Sequence, residues 1–347
     1  MMNDQAVLFR VGGLGDLLVA LPAISLVRRG LPGARLTLVG RADYTGLLKR
    51  AGVVDEVVAF DDARMSALFA DDGASGAGTR PLAEFDFAFG WLNHGGDWPA
   101  AEWWLRQGIG QTFFAAYERG AGVPMSRFFF DRTREHFRTA PNVTSDVAPS
   151  VSGGATGPRA SADADTVRRS NLDAPFDECA RLTFGRDLRE KALESLHLRA
   201  LETNEKRLVI HPGSGGCVKR WPLDNFIDVI GRAASLGLKG VLVTGEAEAD
   251  IEAELKEFPL PAGWARASRL PAETLAGLLA ESTHYIGNDS GPTHLAAACG
   301  ALVLALFRED NLPAWRPFGR TRVLSSPAVD RIPLAAVLAG LGDFLAA

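Results

Sequence analysis

The chain has 347 residues, 47% hydrophobic and 23% charged, the balance of a globular protein large enough for two domains of about 150 to 200 residues. A formal net charge of -5 supplies no overall attraction to nucleic acid or anionic lipid. Cys179, Cys217 and Cys299 lie far apart, with no CxxC and no histidine at zinc spacing, a pattern that argues against a disulfide frame or structural zinc and fits a reducing cytosol.

The polar Asn3, Asp4 and Gln5 lead into an apolar stretch too short for a signal peptide. No run approaches the roughly 20 apolar residues of a membrane span, so a cytoplasmic protein is expected. Residues 6–11 read as a buried strand ending in the glycine turn Gly12, Gly13 and Gly15. Residues 16–29 read as a helix that Pro22 should bend or restart. A strand at 35–39, a helix at 44–51 and strands at 56–60 and 85–91 follow, an alternation that predicts parallel βαβ units. Residues 71–79 and 144–173 are rich in small and polar residues, without apolar periodicity; the first is a loop, the second a mobile loop or interdomain linker. The alternation resumes with strands at 207–210, 240–244, 284–286 and 301–307 and helices at 223–236, 246–257, 272–281 and 291–298. The fold class is therefore α/β, with two doubly wound, Rossmann-like domains facing each other across a cleft. The expected division is residues 1–175, residues 176–330, and an apolar C-terminal helix within 331–347 that packs back onto the body.

Three segments carry chemistry. After the first strand, Gly12, Gly13 and Gly15 let the backbone turn sharply and approach a ligand, and Asp16 stands beside them at the sheet edge where open α/β sheets bind ligands. The carboxylate of Asp16 either caps the next helix or faces that ligand. The run is neither a full GxGxxG nor a P-loop. Next, His211-Pro212-Gly213-Ser214-Gly215-Gly216 precedes Lys219-Arg220-Trp221-Pro222. Small residues let free amides converge on an anion, and a lysine can neutralise a leaving diphosphate without a metal; otherwise the segment is a turn with a solvated cation. Last, Gly287-Asn288-Asp289-Ser290-Gly291-Pro292-Thr293-His294 opens an alanine-rich helix whose first amides and positive dipole end suit phosphate.

These motifs, in this order, resemble the lipopolysaccharide heptosyltransferases of glycosyltransferase family 9, over about residues 6–307. The resemblance implies a GT-B fold and inverting transfer of a heptose from ADP-heptose to a sugar hydroxyl of a lipopolysaccharide inner-core acceptor, with no metal or other cofactor. Carried over by position, Asp16 would be the general base, with Gly12, Gly13 and Gly15 forming its loop. Gly213, Ser214, Lys219, Asp289, Ser290, Gly291 and His294 would line the nucleotide-sugar site. An acidic residue after the strand at 240–244 would hold the ribose; Glu246 and Glu248 both qualify, Glu246 being placed in the site. The 144–173 stretch departs from the compact family pattern, and the tryptophans at 91, 98, 103 and 104 match no family motif.

Other features weigh less. Asp163-Ala164-Asp165 is a literal DxD but has no strand before it, and reads as accidental. Trp98, Trp103 and Trp104 either stack on sugar rings or fill a core. Arg119, Arg127, Arg132, Arg134 and Arg138 either meet an acidic, lipid-linked glycan in peripheral contact with the inner membrane face or form a solvated face, and His136 reads as structural. The alternatives are a related GT-B transferase with another nucleotide-diphosphate sugar, or with a different glycan or a protein as acceptor, and, further off, an NAD-dependent oxidoreductase. Against the last stands Gly40-Arg41, where a dinucleotide site needs an acidic residue. A nucleic-acid partner is not expected.

Overall fold

In the computed structural model, which describes residues 4–62, 85–93, 109, 111–118, 120–139, 171–195 and 207–346, the apolar runs line up as two parallel sheets. The first holds β1 (Gln5–Phe9), β2 (Arg35–Gly40), β3 (Glu56–Ala59), β4 (Phe87–Leu92) and β5 (Gln111–Ala116) in the order β3-β2-β1-β4-β5. The second holds β6 (Arg207–His211), β7 (Lys239–Thr244), β8 (Trp264–Ser268), β9 (His284–Asn288), β10 (Leu302–Arg308) and β11 (Thr321–Ser326) in the order β11-β10-β9-β6-β7-β8. Central strands such as β1 and β6 are buried along nearly their whole length, because parallel sheets are covered on both faces.

Each sheet reverses its strand order once. In the first the reversal lies between β1 and β4, in the second between β6 and β9. Loops leaving the carboxyl ends of such neighbours diverge and open a crevice, the usual ligand site of an open α/β sheet. The three glycine-containing motifs all sit there: Gly12–Asp16 after β1, His211–Lys219 after β6, and Asp289–His294 after β9.

The helices are α1 (Leu14–Gly30), α2 (Ala42–Arg50), α3 (Met125–Thr139), α4 (Arg186–Ser195), α5 (Leu223–Ser235), α6 (Ala249–Leu255), α7 (Ala272–Ala280), α8 (Gly291–Cys299) and α9 (Leu334–Ala346). Pro22, expected to bend or restart the helix, does not restart it: α1 is continuous, with Pro22 buried inside it. Packing explains this, since α1 is apolar around most of its circumference and lies between α3 of its own domain and α8 of the other. The predicted 246–257 helix also divides, into a 3-10 turn at Glu246–Glu248 and then α6, because the Glu248 carboxylate folds back to accept the Gly245 N–H at 2.6 Å.

The two domains meet where α1 crosses α8. A side chain on Gly291 would place its Cβ 2.9 Å from Leu14 Cβ and 3.2 Å from the Gly15 nitrogen. The small Ala296, Ala297 and Ala298 continue this contact, and one apolar cluster runs through it from Leu8 and Leu17 to Leu295 and Val303. Across the same boundary Arg50 pairs with Asp187, while within the second domain Leu182 N–H donates to Ala298 O at 2.9 Å. The terminal helix α9 packs on α5, β10 and β11. Among the described residues no helix is long and apolar enough to cross a membrane.

Candidate active site

At the first switch point Asp16 is the third residue of α1. Its Oδ2 accepts the Gly13 N–H at 2.8 Å, the return arm of a capping box, so it caps the helix as one sequence reading had it. Its Oδ1 accepts the Asn93 Nδ2–H at 2.6 Å and, more distantly, Arg10 Nη2 at 3.4 Å. Arg10 is only 3% exposed. Its Nε donates to Asp16 O at 2.6 Å, its Nη1 to Trp91 O at 2.7 Å and its Nη2 to Asn93 Oδ1 at 2.6 Å. Burial pushes the guanidinium down to about 10, partly opposed by Asp16, which still leaves it a cation at neutral pH. Gly12 is in the positive-φ region at +139°, and a Cβ there would lie 2.6 Å from Asp16 Cβ, so glycine is required twice over. The Asp16 side chain is 21% exposed and therefore reachable.

At the second switch point the Lys219 Nζ lies 2.9 Å from Asp289 Oδ2, and the Asn311 side-chain amide donates to the same oxygen. Asp289 is nearly buried, whereas Lys219 is 37% exposed. Ser214 Oγ–H donates to Asp289 O at 2.8 Å, which binds the two loops together. Asn288 completes the bracing: its Nδ2 donates to Pro212 O at 2.7 Å and its Oδ1 accepts the Trp221 N–H at 3.1 Å. Ser290, the N-cap of α8, lies 3.4 Å from His211 Nδ1 and 3.1 Å from Thr293 Oγ1. Beyond it, Pro292 has no N–H and the Thr293 and His294 amides donate to Ser290 O at 3.1 and 3.4 Å, so the Gly291 N–H is the amide that the start of α8 offers to a ligand. Lys219, paired with Asp289, and the positive dipole end of α8 lie side by side at this crevice.

Between the two sites stands His294. It is 1% exposed, and neither ring nitrogen has a hydrogen-bond partner among the described residues. Burial lowers its pKa, while Asp289 and Asp16 pull it up and Lys219 down, so one imidazole feels the charged groups of both crevices. A Cβ on Gly15 would be 3.7 Å from His294 Cδ2 and 3.8 Å from Gly291 Cα. A buried polar group left unpaired costs about 1–3 kcal/mol, so an unpaired imidazole at this junction is a costly feature of the fold.

Of the two acidic candidates after β7, Glu248 is 4% exposed and its Oε2 is 3.6 Å from His211 Nε2 besides holding Gly245 N–H. Burial raises its pKa, but the hydrogen bond and charge of His211 outweigh that and leave it lowered. Gly213 is the price of this arrangement, since a Cβ there would overlap the Glu248 carboxyl. Glu246 is exposed on the same turn and its carboxylate is uncommitted in the hydrogen bonds of the described residues.

The arginine stretch forms α3. Arg127 pairs with Asp131 at 2.7 Å, Arg132 with Glu135 at 2.8 Å and Arg138 with Asp173 at 2.6 Å, while Arg134 donates to Ala174 O at 2.7 Å. Arg127, Arg132 and Arg138 thus each have a carboxylate partner at the surface, while Arg134 lies over the Phe130 ring. Trp91 is core, its Nε1–H donating to Thr133 Oγ1 at 3.0 Å, and His136 stacks among Phe89, Phe113 and Phe137. The tryptophans at 98, 103 and 104, Arg119, most of the 144–173 stretch and its DxD lie outside the described residues.

Residues 164–330 match the family model of glycosyltransferase family 9 (heptosyltransferase). Lipopolysaccharide heptosyltransferase 3 of Escherichia coli (strain K12) is 32% identical over 126 residues, 35% of this chain, and the match spans only about a third (36%) of that protein's length. Among solved structures, the family 9 glycosyltransferase from Veillonella parvula DSM 2008 superposes with a TM-score of 0.70 at 16% identity, covering 99% of this chain and 98% of that one. The E. coli ADP-heptose lps heptosyltransferase II gives 0.70 at 16% identity, covering 98% of each chain. E. coli heptosyltransferase WaaC, solved with ADP, gives 0.62 at 15% identity over 98% of this chain and 99% of that one. The chain thus has the GT-B fold, and its residues 164–330 are similar to heptosyltransferases.

Proposed function

We propose that this chain is a cytoplasmic inverting glycosyltransferase that moves a heptose from ADP-heptose to a sugar hydroxyl of a lipopolysaccharide inner-core acceptor, without a metal or other cofactor. The observation that carries the reading is the meeting of the two switch points. Asp16 on one side, and Lys219 with the start of α8 on the other, flank the same buried His294. The donor diphosphate lies along Gly213, Ser214, Ser290 and Gly291, with Glu246 free to accept from the ribose. A sugar hydroxyl is a poor nucleophile, so Asp16 takes its proton as the oxygen attacks the anomeric carbon. The bond to the diphosphate breaks on the opposite face, and ADP leaves with the electron pair. Charge growing on that leaving group is stabilised by Lys219 and by the positive end of α8, the work a metal performs elsewhere. Asp289 is an anion beside the diphosphate and cannot donate to it; it holds Lys219 and accepts from the donor's hydroxyls. The acceptor is held at a membrane only peripherally, since α3 has its own counter-ions.

The test is calorimetric binding of ADP, UDP, GDP and NAD with a chelator present. Selective ADP binding supports the reading. A preference for UDP or GDP keeps the transferase and replaces the donor, and binding of NAD alone removes it.

A further inference from the structure

The Asp16 carboxylate is held asymmetrically. A carboxylate offers about four lone-pair sites, two on each oxygen. Oδ1 accepts from both Asn93 Nδ2 at 2.6 Å and Arg10 Nη2 at 3.4 Å, whereas among the described residues Oδ2 accepts only the Gly13 amide at 2.8 Å. We infer that Arg10 and Asn93 are positioning residues that clamp Asp16 through Oδ1 and leave Oδ2 as the oxygen that receives the acceptor's proton; this rests on the proposed role of Asp16 as base.

The clamp has a direction. Arginine is donor-only, and Arg10 is fixed by bonds to the carbonyls of Asp16 and Trp91, with its guanidinium 5.4 Å from the centre of the Phe129 ring. Its Nη2 therefore requires the oxygen of the Asn93 amide, at 2.6 Å, and this turns the NH2 group toward Asp16. Orientation passes from two backbone carbonyls to a buried cation, then to an amide, then to one oxygen of the carboxylate. The parts come from neighbouring strands, Arg10 after β1 and Asn93 after β4, which pair in register from Ala6–Phe87 to Phe9–Gly90. The amide also keeps the guanidinium from forming a close fork on Asp16, which would occupy both oxygens and leave none for a proton.

Asn93→Asp tests this without removing bulk: it keeps an acceptor for Arg10 but has no donor for Asp16. Asn93→Ala is the companion in case repulsion disturbs the fold. Both variants should lower kcat about 10- to 100-fold, the effect of a misplaced catalytic group, with the donor KM within about twofold of wild type. Exchange of the Gly13 amide hydrogen, read by NMR, should speed up about tenfold once Asp16 can swing away. A wild-type kcat or a wild-type Gly13 exchange rate in both variants overturns the clamp. If the unmutated protein transfers no sugar, the transferase reading fails on its own. The Gly13 exchange arm then decides the clamp alone, acceleration supporting it and an unchanged rate refuting it.

Discussion

Replacing His294 by leucine should make the protein more stable and a poorer binder. The imidazole is 1% exposed with neither nitrogen hydrogen-bonded among the described residues, and leucine of similar size buries apolar surface with no polar atom to satisfy. One buried unsatisfied group costs about 1–3 kcal/mol, so with some packing misfit the net gain should be about 1–2 kcal/mol. The pH dependence has a definite sign. Because burial lowers the folded-state pKa of His294 from the usual 6.5, the unfolded chain takes up a proton there first as pH falls. Wild-type stability from this residue is present above about pH 6.5 and is lost as pH falls toward the lowered folded value. The advantage of the leucine variant should therefore widen below pH 6.5. Urea denaturation at pH 7.5 and 5.5 measures both, and calorimetry should show ADP affinity reduced about tenfold, the worth of one hydrogen bond to a charged ligand. A variant less stable than wild type, with ADP affinity intact, would refute the view of His294 as a ligand-facing orphan.

Asp16→Asn should keep ADP binding and lower turnover about 100- to 10,000-fold in a donor-consumption assay; normal rates would remove it as base. Lys219→Ala should raise the donor KM and lower kcat together, because it removes both the diphosphate's cation and the partner of Asp289; steady-state kinetics with both constants unchanged would make the lysine a surface group. Gly213→Ala forces a methyl into the Glu248 carboxyl and should destabilise the domain by about 1–3 kcal/mol, read by denaturation, with weaker ADP binding.

The strands that read clearly in the sequence are mostly the buried ones. β1, β6, β7, β9 and β10 are apolar nearly throughout because both faces are covered. β5, β8 and β11 lie at sheet edges and stay partly exposed; Arg266 and Arg322 interrupt β8 and β11, whereas β5 does hold the short apolar run Phe113–Ala116. Helix α3 was hidden by its charges: Phe129, Phe130 and Phe137 form its buried side, while its arginines draw attention as a basic patch. Asp16, Lys219 and the Asp289–His294 turn were visible from composition around glycine. Asn93 was not, because its importance depends on β4 lying beside β1, a fact of strand order that local sequence does not encode. Arg10 looked like the end of a strand, and only its burial reveals it as the anchor of Asp16.

The most direct test of the central claim is mass spectrometry of an inner-core acceptor incubated with ADP-heptose, the protein and a chelator. The account predicts one added heptosyl unit with stoichiometric release of ADP, both lost in Asp16→Asn. An unmodified acceptor, alongside turnover of a UDP- or GDP-sugar instead, would contradict it.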